Sequence, residues 1–388
     1  MRICILSTTY PRYKEDAWVP FTHSLSKELA KKHQVTVVTS SDIAAKDYEK
    51  RDKVKIIRFI YFLPKKWQML TYRGGMLESF NSSLLAKVQA PLFLLSFFLK
   101  ALKHSRRCDI IHAYWSLSGL IAVLVSKIRK KPIVLTLHGS DIRSLPRWLN
   151  RYVVNNVDAV VSAHHELLDI AEKLGRKEEL YNIKNPIDSK FYSKIKTDGV
   201  KKEFGLKVEY VVSFIGRLEP MKDPLTFIKA IPFVLAQMNG IKFFLVGDGH
   251  LMQEAVRLAE KLKVKEHLFI IGQRHDTHEI LKATDIFIAI SPLENCFSTT
   301  IIESMSLKVP CIITDAGYTK KFFTHRKDCY LVKSRDEKEL ANAIITLLLE
   351  QDLRRKIALN GLKFLDNNKF NNSQIIKGYQ AVYKSVFT

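Results

Sequence analysis

Short apolar runs rich in β-branched residues recur along this chain, and the stretches between them carry apolar residues at helical spacing. Ile3–Ser7, Val35–Thr39, Val54–Phe59, Ile110–His112, Ile133–Leu137, Ala159–Ser162 and Tyr181–Lys184 read as buried strands. Between them lie patterns such as Phe21, Leu25, Leu29, which suit one face of a helix. This alternation builds a parallel sheet with crossover helices. It pauses at the polar stretch Asn185–Val208 and then resumes with Tyr210–Ile215, Lys242–Val246, Leu268–Ile271, Ile286–Ile290 and Cys311–Thr314. The sequence therefore predicts an α/β protein of two doubly wound halves, residues 1–190 and 191–368, facing a cleft. Ligands of such sheets sit beyond the carboxyl ends of the strands. The period of Ile375, Tyr379, Val382, Tyr383 and Val386 predicts a final amphipathic helix within 369–388, packing back on the first half.

The length of 388 residues fits two domains at roughly 100–200 residues each. Apolar residues at 47% and charged residues at 26% exclude a disordered chain. The net charge of +23 points to anionic partners: phosphorylated metabolites, nucleic acid or an acidic membrane surface. Residues 1–190 hold 32 Lys/Arg against 17 Asp/Glu. Within them, Lys65–Arg107 holds eight basic residues and one acidic residue, together with Trp67, Tyr72, Phe80, Phe93, Phe97 and Phe98. Basic residues flanking an apolar, aromatic helix resemble a membrane-surface element. The plainer alternative is a buried helix beside a solvated basic loop. The richest apolar run, Ala90–Leu99, is short of the ~18 residues that a spanning helix needs. The first residues read as a strand and not as a signal peptide. The five cysteines are scattered and form no Cys-x-x-Cys pair, which argues against a disulfide framework or a thiolate zinc site and suits a reducing compartment.

Two segments can carry chemistry. In Gly216-Arg217-Leu218-Glu219-Pro220-Met221-Lys222 a strand ends, two cations follow, and Pro224 suits the first turn of a helix. Arg offers a planar fork and Lys a point charge, so the loop can hold a diphosphate. In Ser291-Pro292-Leu293-Glu294-Asn295-Cys296-Phe297-Ser298-Thr299-Thr300 a strand leads through a polar loop into a helix. Thr299 or Thr300 is expected to cap that helix, and Thr300 with Glu303 has capping-box spacing. A helix start attracts phosphate through its N–H groups and partial positive charge. No Asp-x-Asp triplet or His/Cys cluster suggests a metal. His164-His165 reads as a helix start, and His112 as packed or functional with equal weight.

Taken in order, Gly216-Arg217-Leu218-x3-Lys222, Glu294-Asn295-Cys296-Phe297-Ser298, Glu303-Ser304-Met305, Pro310 and Asp315-Ala316-Gly317 resemble the donor half of glycosyltransferase family 4. Leu137-His138-Gly139-Ser140-Asp141, Ile111-His112-Ala113-Tyr114-Trp115 and the hinge-like Asn185-Pro186-Ile187-Asp188 extend the resemblance over nearly the whole chain. It implies a GT-B fold of two Rossmann-like domains, the first on the acceptor side and the second on the donor side. The implied activity is retaining, metal-independent sugar transfer from a nucleotide sugar, without a cofactor. Arg217 and Lys222 would clamp the diphosphate, Glu303 would bind ribose, Glu294 or Asn295 would touch the donor sugar, and His138 would lie near it. Gly216, Gly247, Gly272, Arg274, Phe297, Ser298 and Thr299 complete the implied donor site, and the Tyr10–Trp18 loop would lie near the diphosphate. His138, Arg217, Lys222 and Glu294 are the implied catalytic set.

Three positions depart from the family pattern. Glu294 stands one residue further from Glu303 than the usual carboxylate pair, and Asn295 occupies the expected place. The first loop lacks Gly-Gly, and Pro186 replaces the hinge glycine. The expected partners are a UDP-, GDP- or ADP-linked sugar, a glycan or lipid-linked acceptor in cell-surface synthesis, and an anionic membrane surface. The expected location is cytoplasmic, peripheral at the inner membrane face. A nucleotide-sugar epimerase and a nucleic-acid binder remain as alternatives, although no DNA-reading or RNP-like motif stands out.

Overall fold

In the computed structural model the described residues are 1–388 except 15, 17–18, 73–75, 77–78, 81–82, 139–141, 143–144, 187–197, 207–208, 275, 293–297, 318, 369, 371 and 388. The chain divides into two units, Met1–Pro186 with Asn372–Thr388, and Ile187–Asn371.

The first unit is built on β1 (Arg2–Ser7), β2 (Gln34–Ser40), β3 (Tyr48–Arg51), β4 (Val54–Phe59), β5 (Ile110–Tyr114), β6 (Ile133–Leu137), β7 (Ala159–Ser162) and β8 (Leu180–Asn182). They form one sheet in the order β3-β4-β2-β1-β5-β6-β7-β8. All pairs are parallel except β3–β4. Helices α1 (Pro20–Leu29), α2 (Leu84–Ser105), α3 (Trp115–Arg129), α4 (Arg147–Asn155) and α5 (His165–Lys173) lie between strands. Strand β3 was not expected, because Tyr48-Glu-Lys-Arg51 has no apolar alternation. A charged, antiparallel edge strand needs none, and its charge discourages further pairing.

A parallel sheet must be covered on both faces. Part of one cover comes from the C-terminal helix Asn372–Ser385, whose Ile375, Ile376, Tyr379, Val382 and Tyr383 are buried in the core with Ile3, Ile5 and Val134. The contact is polar as well as apolar. His112 in β5 bonds through Nδ1 to the Tyr383 hydroxyl and through Nε2 to the Thr136 hydroxyl, each at 2.7 Å. Burial pushes His112 down to about 3, so the ring is neutral and fully satisfied. It is a packed histidine.

Helix α2 corrects the sequence reading on two counts. It is 22 residues long, and an 18-residue window in it has a mean hydropathy of 1.5. It is therefore long and apolar enough to cross a membrane, because Lys87, Gln89 and Pro91 interrupt the apolar run without ending the helix. Its aromatic residues are not its exposed face. Phe93 and Phe97 are buried against Phe59, with Phe97 stacked at 4.7 Å, while Trp67 and Phe80 outside the helix are exposed.

The second unit has β9 (Tyr210–Ile215), β10 (Ile241–Val246), β11 (Leu268–Gly272), β12 (Ile286–Ala289), β13 (Cys311–Thr314) and β14 (Tyr330–Val332) in the order β11-β10-β9-β12-β13-β14, all parallel. Around it lie α6 (Asp198–Glu203), α7 (Pro224–Leu235), α8 (Met252–Lys261), α9 (Thr277–Lys282), α10 (Thr299–Ser306), α11 (Thr319–Phe322), α12 (Glu337–Leu349) and α13 (Gln351–Asn367). Strand β14 has three residues, too few for a periodic signal. The order reverses beside β9, so its loop and that of β12 flank the switch point where ligands of such sheets bind.

The loops at this edge are in backbone contact. Gly247 N–H donates to the Gly272 carbonyl at 2.8 Å, and Leu218 N–H to the Asp248 carbonyl at 2.9 Å. A Cβ on Gly247 (φ +140°) would lie 1.8 Å from the Gly216 carbonyl oxygen. At Gly272 (φ +76°) the only obstacle is the backbone angle, since nothing lies within 4 Å.

Gly247→Ala is expected to lose well over the roughly 1–2 kcal/mol of the left-handed penalty alone, and Gly272→Ala only about that amount. Denaturant unfolding of both variants checks the contrast; equal losses would refute the close-approach role. Tyr383→Phe should cost about 1–3 kcal/mol by leaving a buried imidazole nitrogen unpaired. The depressed folded pKa of His112 also sets a sign. Its contribution is complete above about 6.5, the unfolded value, and is lost as pH falls toward about 3. Unfolding melts across that window check the slope.

Candidate functional site

In the second unit, β9 delivers Gly216 and Arg217 to the switch point. Leu218 is fully buried and anchors the loop, so the residues on either side of it are held in place. Pro220–Lys222 form one 3-10 turn, Lys222 N–H donates to the Glu219 carbonyl at 2.8 Å, and Asp223 in the left-handed region starts α7. Among the described residues no carboxylate pairs with the exposed Arg217; its Nη2 lies 3.8 Å from the Met221 sulfur. Lys222 is half-buried.

The loop after β12 is stitched to this one. Ser291 Oγ donates to the Met221 carbonyl at 2.5 Å, and Ser291 N–H to Thr314 Oγ1 at 2.8 Å. The topology alone makes these loops neighbours, and the serine fixes their spacing. Ser291 and Thr314 were not singled out by sequence; short polar residues at strand ends were the available signal.

Glu294, Asn295 and Phe297 lie outside the described residues. The helix that follows departs from the expected cap. Its N-cap is Ser298, with no side-chain cap bond, and Thr299 is the first helical residue. Glu303 is thus in the second turn, too far along to close a capping box. It pairs instead with His278 of α9, Oε1 to Nε2 at 3.3 Å. Among the described residues no side chain caps the first N–H groups of α10, and a carboxylate stands one turn further on. In the sequence, His278 stands out only through the loose metal spacing His275-x-x-His278; its pairing with Glu303 is not legible there, because only the fold brings α9 beside α10.

Gly216, Gly247 and Gly272 together make the floor of this edge. Arg274 follows it, but its guanidinium is engaged twice, with Glu203 at 2.7 and 2.8 Å and with Asp276 at 2.8 and 2.7 Å. These bonds raise its pKa above the ordinary arginine value. Glu219 accepts from the exposed His250 at 2.9 Å and joins the first two loops again. Among the described residues, no group of three or more His, Cys, Asp or Glu is placed to hold a metal ion.

In the first unit the order reverses beside β1, whose loop carries Tyr10. That loop lacks glycine, and arginines hold it. The fully buried Arg58 donates to the carbonyls of Pro11 at 2.6 Å and Tyr10 at 3.4 Å. Arg51 donates to the carbonyls of Tyr13 at 2.9 Å and Arg12 at 3.1 Å, and Glu49 balances its charge. The Tyr10 hydroxyl meets His23 Nδ1 at 2.7 Å, and His23 Nε2 meets Asp52 at 2.9 Å. The Tyr10 N–H is bonded to the Tyr72 hydroxyl and the Arg12 N–H to Asp16, so neither is left for a phosphate. An arginine within the apolar strand Val54–Phe59 was the sequence signal for this clamp.

His138 follows β6 in the same unit. The residue is half-buried, with its Nε2 shielded from solvent, and its ring lies against Phe21 at 4.6 Å, Tyr114 at 5.5 Å and Trp115 at 5.5 Å. Burial, with His164 and His112 nearby, pushes it down to about 3. It is a neutral hydrogen-bonding group, and its Nε2 has no partner among the described residues. His164 is the N-cap of α5, without a side-chain cap bond.

Comparison with known proteins gives this arrangement its context. Residues 20–191 match the family model Glycosyltransferase Family 4, and residues 198–364 match Glycosyl transferases group 1. N-acetyl-alpha-D-glucosaminyl L-malate synthase of Bacillus anthracis is 25% identical over 288 residues, 72% of this chain and 75% of that protein. UDP-Gal:alpha-D-GlcNAc-diphosphoundecaprenol alpha-1,3-galactosyltransferase of Escherichia coli is 28% identical over 296 residues, 69% of this chain and 75% of that protein. Anabaena HepE, solved in complex with UDP and glucose, superposes with a TM-score of 0.78 at 19% identity, covering 99% of this chain and 100% of that one. Its likeness is one of fold, that of the GT-B glycosyltransferases. With two family models in sequence covering most of the chain, it belongs to the glycosyl transferases group 1 family and is a glycosyltransferase.

Proposed function

We propose that this enzyme moves a hexose or similar sugar from a nucleoside-diphosphate donor to a glycan or lipid-linked acceptor of the cell surface, with retention and without a metal. One observation carries the reading: two cations and a helix start with no capping side chain among the described residues lie on loops stitched together at a sheet switch point. Breaking the sugar–phosphate bond leaves negative charge on the diphosphate. Preorganised cations and N–H groups stabilise such charge where it develops. Arg217 supplies a fork, Lys222 a point charge and α10 its N–H groups. Together they can do the work that a divalent ion does elsewhere, so no cofactor is required.

Glu303 is suited to accept hydrogen bonds from the ribose hydroxyls. His278 holds that carboxylate in place until a nucleotide arrives. His138, kept neutral by burial, is suited to bond a sugar hydroxyl and not to carry charge. The Escherichia coli relative, named for a UDP-linked donor, a diphosphoundecaprenol acceptor and an α-linkage, supports a lipid-linked acceptor and retention. A lipid-linked acceptor in turn favours a peripheral site of action at the inner membrane face.

A thermal-shift panel of UDP, GDP, ADP and their sugars identifies the base. The right ligand at 100 times its dissociation constant stabilises the fold by ~2.7 kcal/mol. Arg217→Ala and Lys222→Ala should each lower turnover by ~10²–10³ with the melting transition unchanged. Glu303→Ala should weaken nucleotide binding. Wild-type turnover in both cation variants would remove the assignment. A chelator should leave the rate unchanged, and a chelator-sensitive rate would end the metal-free reading. Product analysis should find free nucleoside diphosphate with a glycosylated acceptor of unchanged anomeric configuration, and an isomerised nucleotide sugar would point to an epimerase instead.

A further inference from the structure

We propose that the outward face of α2 lies in the surface of an anionic phospholipid bilayer, parallel to it, with its leucines among the acyl chains. At about 100° per residue, Leu84, Val88, Leu92, Leu95 and Leu99 fall within an arc of about 80°. All five are exposed, from 43% at Leu92 to 79% at Leu84. Isolated exposed leucines are ordinary, but an unbroken apolar stripe along about four turns of helix is not.

The opposite face holds the helix in its unit. Phe93, Phe97 and Ala101 are buried in the core, and Gln89 bonds the backbone of the preceding loop, Nε2 to the Trp67 carbonyl at 2.8 Å and Oε1 from Met69 N–H at 3.0 Å. A helix pinned in this way cannot cross a membrane without dismantling the core, so its length and hydropathy do not make it a span. What is left to it is to lie flat, one face in protein and one in lipid.

Charge selects the partner. The helix contains no Asp or Glu. Lys87 and Lys103 flank the stripe, and Arg106 and Arg107 follow its end, all of them exposed. Lys55, Lys100 and Lys103 crowd His104 closely enough to help burial lower its pKa. Basic groups bordering an apolar stripe fit lipid phosphates beside acyl chains. Two neighbours widen the patch. Trp67 and Leu63 are exposed in the loop that Gln89 fastens. Ile128 is exposed on α3, whose Arg129 bonds the Leu102 carbonyl of α2 at 3.3 Å.

This inference deepens the reading of a lipid-linked acceptor, but its test needs no acceptor. The full chain is floated with phosphatidylcholine vesicles with and without phosphatidylglycerol, at low and high salt. Wild type should float only with the anionic vesicles and be released by salt. Leu92→Ser with Leu95→Ser and Leu99→Ser should cut the bound fraction by on the order of tenfold. Lys103→Glu with Arg106→Glu and Arg107→Glu should abolish the preference for phosphatidylglycerol. The leucine variant should keep its melting transition and its turnover of a water-soluble acceptor, so that loss of docking and failure of the catalytic reading are told apart. Wild type that ignores anionic vesicles, or a leucine variant that binds them equally well, would overturn the proposal. A wild-type dimer that the leucine variant converts to monomer, with no flotation of either, would give the face to a second copy instead.

Discussion

The loop edge of the second unit depends on one close approach of backbone to backbone. The Gly216 carbonyl occupies the space a Cβ would take on Gly247. Because the two chains meet there without side chains, the loops after β9, β10 and β11 interlock by N–H to carbonyl bonds. Arg217 and Lys222 then emerge from a fixed surface and not from a mobile loop. Ser291 extends the same fixation across the switch point to the loop of β12. Positioning of this kind is what makes a cation more effective at a developing charge than the same cation in water, since no reorganisation is left to be done.

The first unit solves the corresponding problem by other means. Its β1 loop has no glycine, and its carbonyls turn inward to Arg58 and Arg51. A buried arginine is costly unless its donors are filled, and here backbone carbonyls with Glu49 fill most of them. The interior nearby holds two histidines that burial keeps neutral. His112 is satisfied on both nitrogens, whereas His138 keeps one nitrogen without a partner among the described residues. Two histidines, one fully buried and one half-buried, thus differ in whether hydrogen-bonding capacity is left over for a ligand.

Helix α2 carries two apolar faces, one buried and one exposed. Phe93 and Phe97 enter the core because they lie on the arc that faces β4, and Leu84, Leu92, Leu95 and Leu99 stay outside because they lie on the other. Composition alone describes both faces as apolar. Only the sheet decides which is protein-facing.

Much of the architecture was legible in the order of residues. A buried parallel strand must be apolar on both faces, so each central strand announced itself as a short β-branched run, and the period of the last helix marked its buried side. The two missed strands were at edges, where half-exposure or brevity erases the pattern. Arg217 and Lys222 could be picked out because strand ends are recognisable and motifs are local. The cap at Ser298, the His278–Glu303 pair and the Tyr383–His112 bond could not, because each joins residues whose distance is set by packing and not by spacing along the chain. Sequence fixes periodicity and chemical type, which are properties of neighbours in the chain. Which polar groups are spent on one another, and which are left for a substrate or a membrane, is decided only when distant segments are buried together and each must find a partner or keep its water.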